Sequence, residues 1–168
     1  MDPRMERKNP ALTCLKFKKM EIVQITDIDQ LVQMRFDYFA NDGHMVKGNH
    51  AEVEASLRDY FKRHIGHDFI ALGIQEGKTI ASVGYMVINE MPANGNAVNG
   101  LTGTLLNVLT YPEYRGRGYG LMLIEAIKKE ARQRNLSFID LYATEQGTPL
   151  YEKAGFVPIS YRAMRLKL

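Results

Sequence analysis

Two periods of apolar residues alternate along the chain. Leu15–Ile25 ("LKFKKMEIVQI") reads as a first strand. The spacing then changes: Ile28, Leu31, Val32 and Phe39 fall on one helical stripe, with Thr26 as cap, Asp29 in the first turn and a start near Asp27. A second helix begins after Asn49, its cap, with Glu52 three residues on. Val53, Leu57, Tyr60 and Phe61 face inward along it, and it closes near Gly66. Asp68–Pro92 holds two strand-like runs around Glu76-Gly77, the pattern of an antiparallel hairpin. Pro92–Gly100 reads as a loop and Leu101–Thr110 as the fourth strand. Helical spacing returns after Tyr119, with Leu123, Ile124, Ile127 and Ala131 on one face, Lys128, Lys129, Arg132 and Arg134 outside, and Asn135 as the stop. Ser137–Thr144 predicts a strand. Thr148–Gly155 predicts a short helix with Thr148 as cap, Pro149 in its first turn and Gly155 past its end, and Phe156–Leu168 a final strand. No repeat interrupts this α/β alternation.

Composition narrows the class. A chain of 168 residues, 45% hydrophobic, suits one domain with its own core, placed at residues 20–168 behind a basic leader at 1–19. The leader carries Arg4, Arg7, Lys8, Lys16, Lys18 and Lys19, yet the net charge is only +3, so no nucleic-acid partner is expected. Cys14 is alone and cannot form an internal disulfide, which fits a reducing compartment. No stretch approaches the ~18 apolar residues of a membrane span, and the first residues lack the apolar centre of a signal peptide. The expectation is a soluble, cytoplasmic protein without a membrane partner.

The chemistry concentrates in "YPEYRGRGYG", Tyr111–Gly120, between the fourth strand and the following helix. The N–H groups of Arg117, Gly118, Tyr119 and Gly120 open that helix, where the first donors have no carbonyl partner and the macrodipole favours an anion. Arg115 and Arg117 add full positive charge in planar forks suited to phosphate. A nucleotide P-loop needs Gly-Lys followed by Ser or Thr, which is absent. The dinucleotide fingerprint needs a glycine where Leu121 stands. A bare structural turn is the alternative.

"RGRGYG" after "LLNVLTYPEY" resembles the acyl-CoA pyrophosphate loop of the GNAT superfamily of N-acetyltransferases, with Arg115, Gly118 and Gly120 at the motif positions. "LYEKAGF", Leu150–Phe156, is similar to the end of the superfamily's last motif. The resemblance runs from about Met20 to Leu168. It implies a mixed, mostly antiparallel central sheet flanked by helices, with strands four and five splayed to admit the pantetheine arm. It also implies an acetyl-CoA-dependent N-acetyltransferase.

By the same resemblance, main-chain groups of Leu109 and Thr110 bind the pantetheine arm, and the loop Arg115, Gly116, Arg117, Gly118, Tyr119 and Gly120 holds the pyrophosphate. Thr144 stands where many members carry an Asn that contacts CoA. Tyr151 matches the tyrosine that acts as general acid toward the leaving sulfur. Asn107 matches an Asn that holds a water or the substrate amine; equally, a buried Asn can satisfy backbone groups at a bulge. Thr104 stands where some members place a Glu, so the base is left open among Glu90, Asp42, Glu145 and a water relay. His44, His50, His64 and His67 lack metal-ligand spacing, and no metal is expected. The acceptor is a small-molecule or peptide amine, and a homodimer is one expected assembly. The alternative is a non-catalytic acyl-CoA-binding or sensing module on the same fold.

Overall fold

The computed structural model describes residues 19–42 and 49–168. The leader, apart from Lys19, and His44 lie outside the described residues. The elements are β1 (Met20–Gln24), α1 (Ile28–Asn41), α2 (His50–His64), β2 (Phe69–Glu76), β3 (Thr79–Glu90), β4 (Leu101–Thr110), α3 (Tyr119–Gln133), β5 (Ile139–Asp140) and α4 (Thr148–Lys153). Asn49 caps α2 by accepting from the N–H of Glu52. The cap of α1 is Asp27 rather than Thr26: its Oδ1 accepts from Gln30 N at 2.8 Å, satisfying one of the helix's orphan donors. α3 closes at Asn135, which takes the left-handed conformation at φ 58°.

The strands line up in sequence order, β1 to β5, antiparallel throughout except for the parallel pair β4–β5. α1 and α2 cover one face, packing Leu31, Val32, Met34 and Phe61 on Phe69, Ala71, Val83, Tyr85 and Leu109. α3 covers the other, packing Leu123, Ile127 and Ala131 on Ile70, Leu72, Ile74, Met86 and Leu105. This two-layer burial of apolar stripes against a sheet is the main source of stability. Among the described residues, no helix is long and apolar enough to cross a membrane.

Two expectations for the end of the chain are corrected. The strand placed at Ser137–Thr144 shrinks to Ile139 and Asp140, which pair with Gly103 and Thr104. Phe156–Leu168 forms no strand at all; Val157, Ile159, Tyr161, Met164 and Leu166 are exposed. The alternation is there in the residues, but β5 is too short to offer an edge for pairing. The cap of α4 also moves. Thr148 is the first helical residue and Gly147 takes the cap position without a side-chain cap; Thr144 ties the turn before the helix, its Oγ1 accepting from Gly147 N at 3.1 Å and its carbonyl from the Thr148 hydroxyl at 2.9 Å.

Candidate active site

β4 carries the site because its register slips. Val83 pairs with Leu109 and Tyr85 with Leu106, so Asn107 and Val108 together oppose the single residue Gly84. Asn107 takes φ 56°, a left-handed conformation that Asn tolerates better than most residues. The extra residue reverses the parity of the strand, so that Leu106 and Leu109, three apart, both face α1 and α2. The Asn107 side chain is 1% exposed and spans the gap to α1. Its Nδ2 donates to the Met34 carbonyl at 3.4 Å and its Oδ1 accepts from Arg35 at 3.2 Å. Removing the amide leaves a part-buried guanidinium N–H without its acceptor and the Met34 carbonyl without its second donor, next to a strained backbone. Asn107→Ala is therefore expected to lower unfolding free energy by about 1–3 kcal/mol in urea titrations. An unchanged midpoint would mean the amide does not hold α1 on the sheet.

Three residues before the bulge, β4 parts from β5: their pairing ends at Thr104 and Asp140, while β4 continues to Thr110. The parted strands leave a wedge, and at its foot lies a cavity of about 380 Å³ lined by Thr104, by β5 and the residues after it, by Tyr151 of α4 and by the segment from Phe156 to Ile159. The main-chain carbonyls of Leu109 and Thr110 already accept from Ser82 Oγ (3.1 Å) and Arg115 Nε (3.1 Å), which fixes the strand's end.

The glycine loop follows through a 3-10 turn at Pro112–Tyr114. Gly116 and Gly118 take φ 75° and 81°, and Gly118 caps α3 without a side chain. No main-chain N–H from Gly116 through Gly120 meets a carbonyl or side-chain acceptor among the described residues. These donors form a concavity suited to an anion. Gly120 serves packing instead: a Cβ there would lie 3.1 Å from Leu150 Cδ2. The arginine side chains are engaged elsewhere. Arg115 reaches back to Thr110 O and to Asn41 Oδ1, and Arg117 pairs with Glu76 (3.2 Å), donates to Glu113 O (3.0 Å) and lies over the Tyr114 ring. Tyr119 is buried, its hydroxyl donating to Glu76 at 2.7 Å, an interaction that raises its pKa.

Tyr151 projects from α4 into the wedge, its ring edge-on to Phe156 at 5.9 Å. Burial pushes its hydroxyl pKa up to about 12, with smaller contributions from Tyr38 and Asp42 at the end of α1. α1 and α4 therefore approach one another across the wedge. Of the three carboxylates considered for the base, Asp42 is the one whose charge is felt at Tyr151; Glu90 and Glu145 are exposed at the end of β3 and in the turn before α4. Thr144 spends its hydroxyl on Gly147 N in the turn before α4. Thr104 accepts from Asn89 Nδ2 at 2.9 Å.

The family model for the Acetyltransferase (GNAT) family matches residues 28–156. The chain belongs to the GNAT acetyltransferase family. A GNAT relative with a curated name, glucosamine 6-phosphate N-acetyltransferase of Trypanosoma brucei brucei, is 33% identical over 92 residues, 55% of this chain and 59% of that protein. The uncharacterized N-acetyltransferase ycf52 of Pyropia yezoensis is 31% identical over 65 residues, 39% of this chain and 37% of its own length. The matched stretches thus span well under two thirds of these relatives. Among solved structures, a predicted acetyltransferase from Clostridium acetobutylicum, crystallised with acetyl-CoA, superposes with TM-score 0.78 at 23% identity, covering 89% of this chain and 96% of that one. That likeness shows the fold, and it agrees with the mixed sheet and parted strands described above.

Several residues around this candidate site escaped the sequence reading. Arg35 lies four residues after Leu31 and four before Phe39, so it is a charge on the apolar stripe of α1, a signal visible in the sequence. Tyr111 donates to Asp37 Oδ2 at 2.7 Å and ties the end of β4 to α1. Its pKa is raised by burial and then by Asp37. Tyr85 donates to the Leu31 carbonyl at 2.7 Å, a link between two distant segments that no periodicity announces.

Proposed function

We propose that this chain transfers the acetyl group of acetyl-CoA to a primary amine by direct attack in a ternary complex. The reading rests on one juxtaposition: a row of unpartnered main-chain donors at Gly116–Gly120 opens a helix that packs, through Gly120 and Leu150, on the short helix carrying Tyr151. The donor set fits a pyrophosphate, since neutral N–H groups at a helix start bind anions without a dedicated lysine. The co-substrate supplies an activated thioester. The residues of the chain supply the rest. Leu109 and Thr110 present the main chain of β4 to the pantetheine arm. Tyr151 donates to sulfur as the C–S bond breaks and the new C–N bond forms. The acceptor's ammonium first gives up a proton through Asp42 or water, because an amine of pKa about 10.4 is mostly charged at neutral pH and only its neutral form can attack.

Acetyl-CoA at a hundredfold excess over its dissociation constant adds about 2.7 kcal/mol, so the melting temperature is expected to rise roughly 5–10 °C. Thiol release on adding a panel of amines then separates catalysis from binding. A thermal shift without thiol release from any amine supports a sensing module in place of the transferase. No shift at all removes the cofactor assignment.

A further inference from the structure

We propose that the acceptor amine carries an anionic group, a carboxylate or a phosphate, and that Arg35 binds it. This inference rests on the transferase reading above and narrows its substrate class. Arg35 points inward from α1 and is half-buried. One of its N–H groups goes to Asn107 Oδ1 at 3.2 Å, and its guanidinium lies 4.4 Å from the Phe39 ring centroid and 5.7 Å from that of Tyr38. A guanidinium has five N–H donors; among the described residues the others meet no acceptor and no carboxylate pairs with it. Burial holds its pKa below the ordinary value, with no carboxylate acting against that shift. Four arginines on other surfaces have counter-ions: Arg58 with Asp29 and Glu54, Arg63 with Asp59, Arg117 with Glu76, Arg134 with Glu130.

A desolvated charge left without a counter-ion is costly, and the cost is recovered when an anion arrives. The nearest carboxylate on the same helix is already committed: Asp37 accepts from Tyr111 and from Gln33 Nε2 at 2.8 Å. Asp42, at the helix end, acts on Tyr38 and Tyr151. Position completes the argument. Arg35 is hydrogen-bonded to the bulge of β4, and Tyr38, one of the rings beside its guanidinium, lies near enough to affect Tyr151. An acceptor reaching the wedge from the α1 face therefore meets this cation, and its amine is left free to reach the thioester. The planar fork favours an oxyanion held in two places.

The test compares matched acceptors: glycine with glycinamide, and phosphoethanolamine with ethanolamine, each kcat/KM corrected for the free-amine fraction. The anionic member of at least one pair is expected to be preferred by about 10–100-fold, the range of a hydrogen bond to a charged group; the arm that responds tells carboxylate from phosphate. Arg35→Gln collapses the ratio to within about threefold, and Arg35→Lys retains part of it. A merely structural Arg35 lowers both members of a pair by the same factor and leaves the ratio intact. Thermal shifts of the CoA-bound protein with the same four compounds read the preference without turnover. Equal responses within both pairs, including no response, overturn the inference. Neutral amines acetylated without preference would sink Arg35's role and leave the transferase standing. Preferential binding of the anionic member without thiol release would do the reverse.

Discussion

Tyr151→Phe is expected to lower turnover roughly 10²–10⁴-fold while the acetyl-CoA dissociation constant moves little. The substitution keeps the ring against Phe156 and deletes one hydroxyl. That hydroxyl is a poor source of a fully transferred proton: with its pKa pushed up to about 12, transfer to a thiolate of pKa about 8.5 runs uphill by roughly 5 kcal/mol. It serves better as a donor whose hydrogen bond strengthens as charge gathers on sulfur, an interaction of the transition state rather than the ground state. The direction of the shift has a further consequence. A raised pKa keeps the hydroxyl protonated through the range where an ordinary tyrosine ionises, so the pH–rate profile should show no alkaline limb near 10 that belongs to Tyr151. A donor with a low-pKa leaving group should recover part of the Phe variant's loss. Wild-type turnover by Tyr151→Phe, under conditions where chemistry limits the rate, would make Tyr151 a packing residue.

Gly118→Val is expected to raise the acetyl-CoA dissociation constant about 10–100-fold and to lower the melting temperature by roughly 2–8 °C. The reason is conformational. A Cβ built on Gly118 meets nothing within 4 Å, so the protein itself has room for it. Its φ of 81° is what a β-branched residue resists, and relaxing that angle turns the Gly118 and Tyr119 N–H groups out of the concavity. Gly120→Ala is the contrasting case: its methyl presses on a flexible Leu150 side chain at 3.1 Å, and the loop conformation is untouched. Titration with acetyl-CoA distinguishes the two. A folded Gly118→Val that binds as tightly as the wild type would detach the loop from cofactor binding.

The helices, the β2–β3 hairpin and the glycine loop were legible in the sequence because each has a local cause: an apolar period, an Asn49 or Asn135 terminus, a glycine that must turn. What was hidden depends on partners far along the chain. The bulge at Asn107 is defined by Gly84 on another strand, and a reading that alternates residue by residue misplaces Leu109 by one face. The cap of α4 was misplaced by one residue because Thr148 next to Pro149 matches the usual signal, while Gly147, the cap in the structure, offers no side chain. The final strand was overread for the opposite reason: Val157, Ile159 and Tyr161 alternate correctly, but alternation states a preference for a sheet without supplying an edge to join. Tyr151 and the loop follow from motif residues, whereas Arg35 needed the tertiary fact that its stripe faces Asn107.

The two layers of the molecule meet the chemistry from opposite sides of one sheet. The loop and α3 lie on one side, and α1, with Arg35, Tyr38 and Phe39, lies on the other. The two sides meet at the end of α1, where Arg115 donates to Asn41 and where Tyr38 and Asp42 act on Tyr151; away from that junction they share few neighbours, and substitutions there should combine nearly additively. If α1 reads the acceptor as proposed, a lineage could change its amine by substitutions in the body of α1 without renegotiating its hold on the acyl donor. Divergence of substrate within an unchanged donor requirement is what this architecture makes easy, and the price of entry is a single inserted residue in β4.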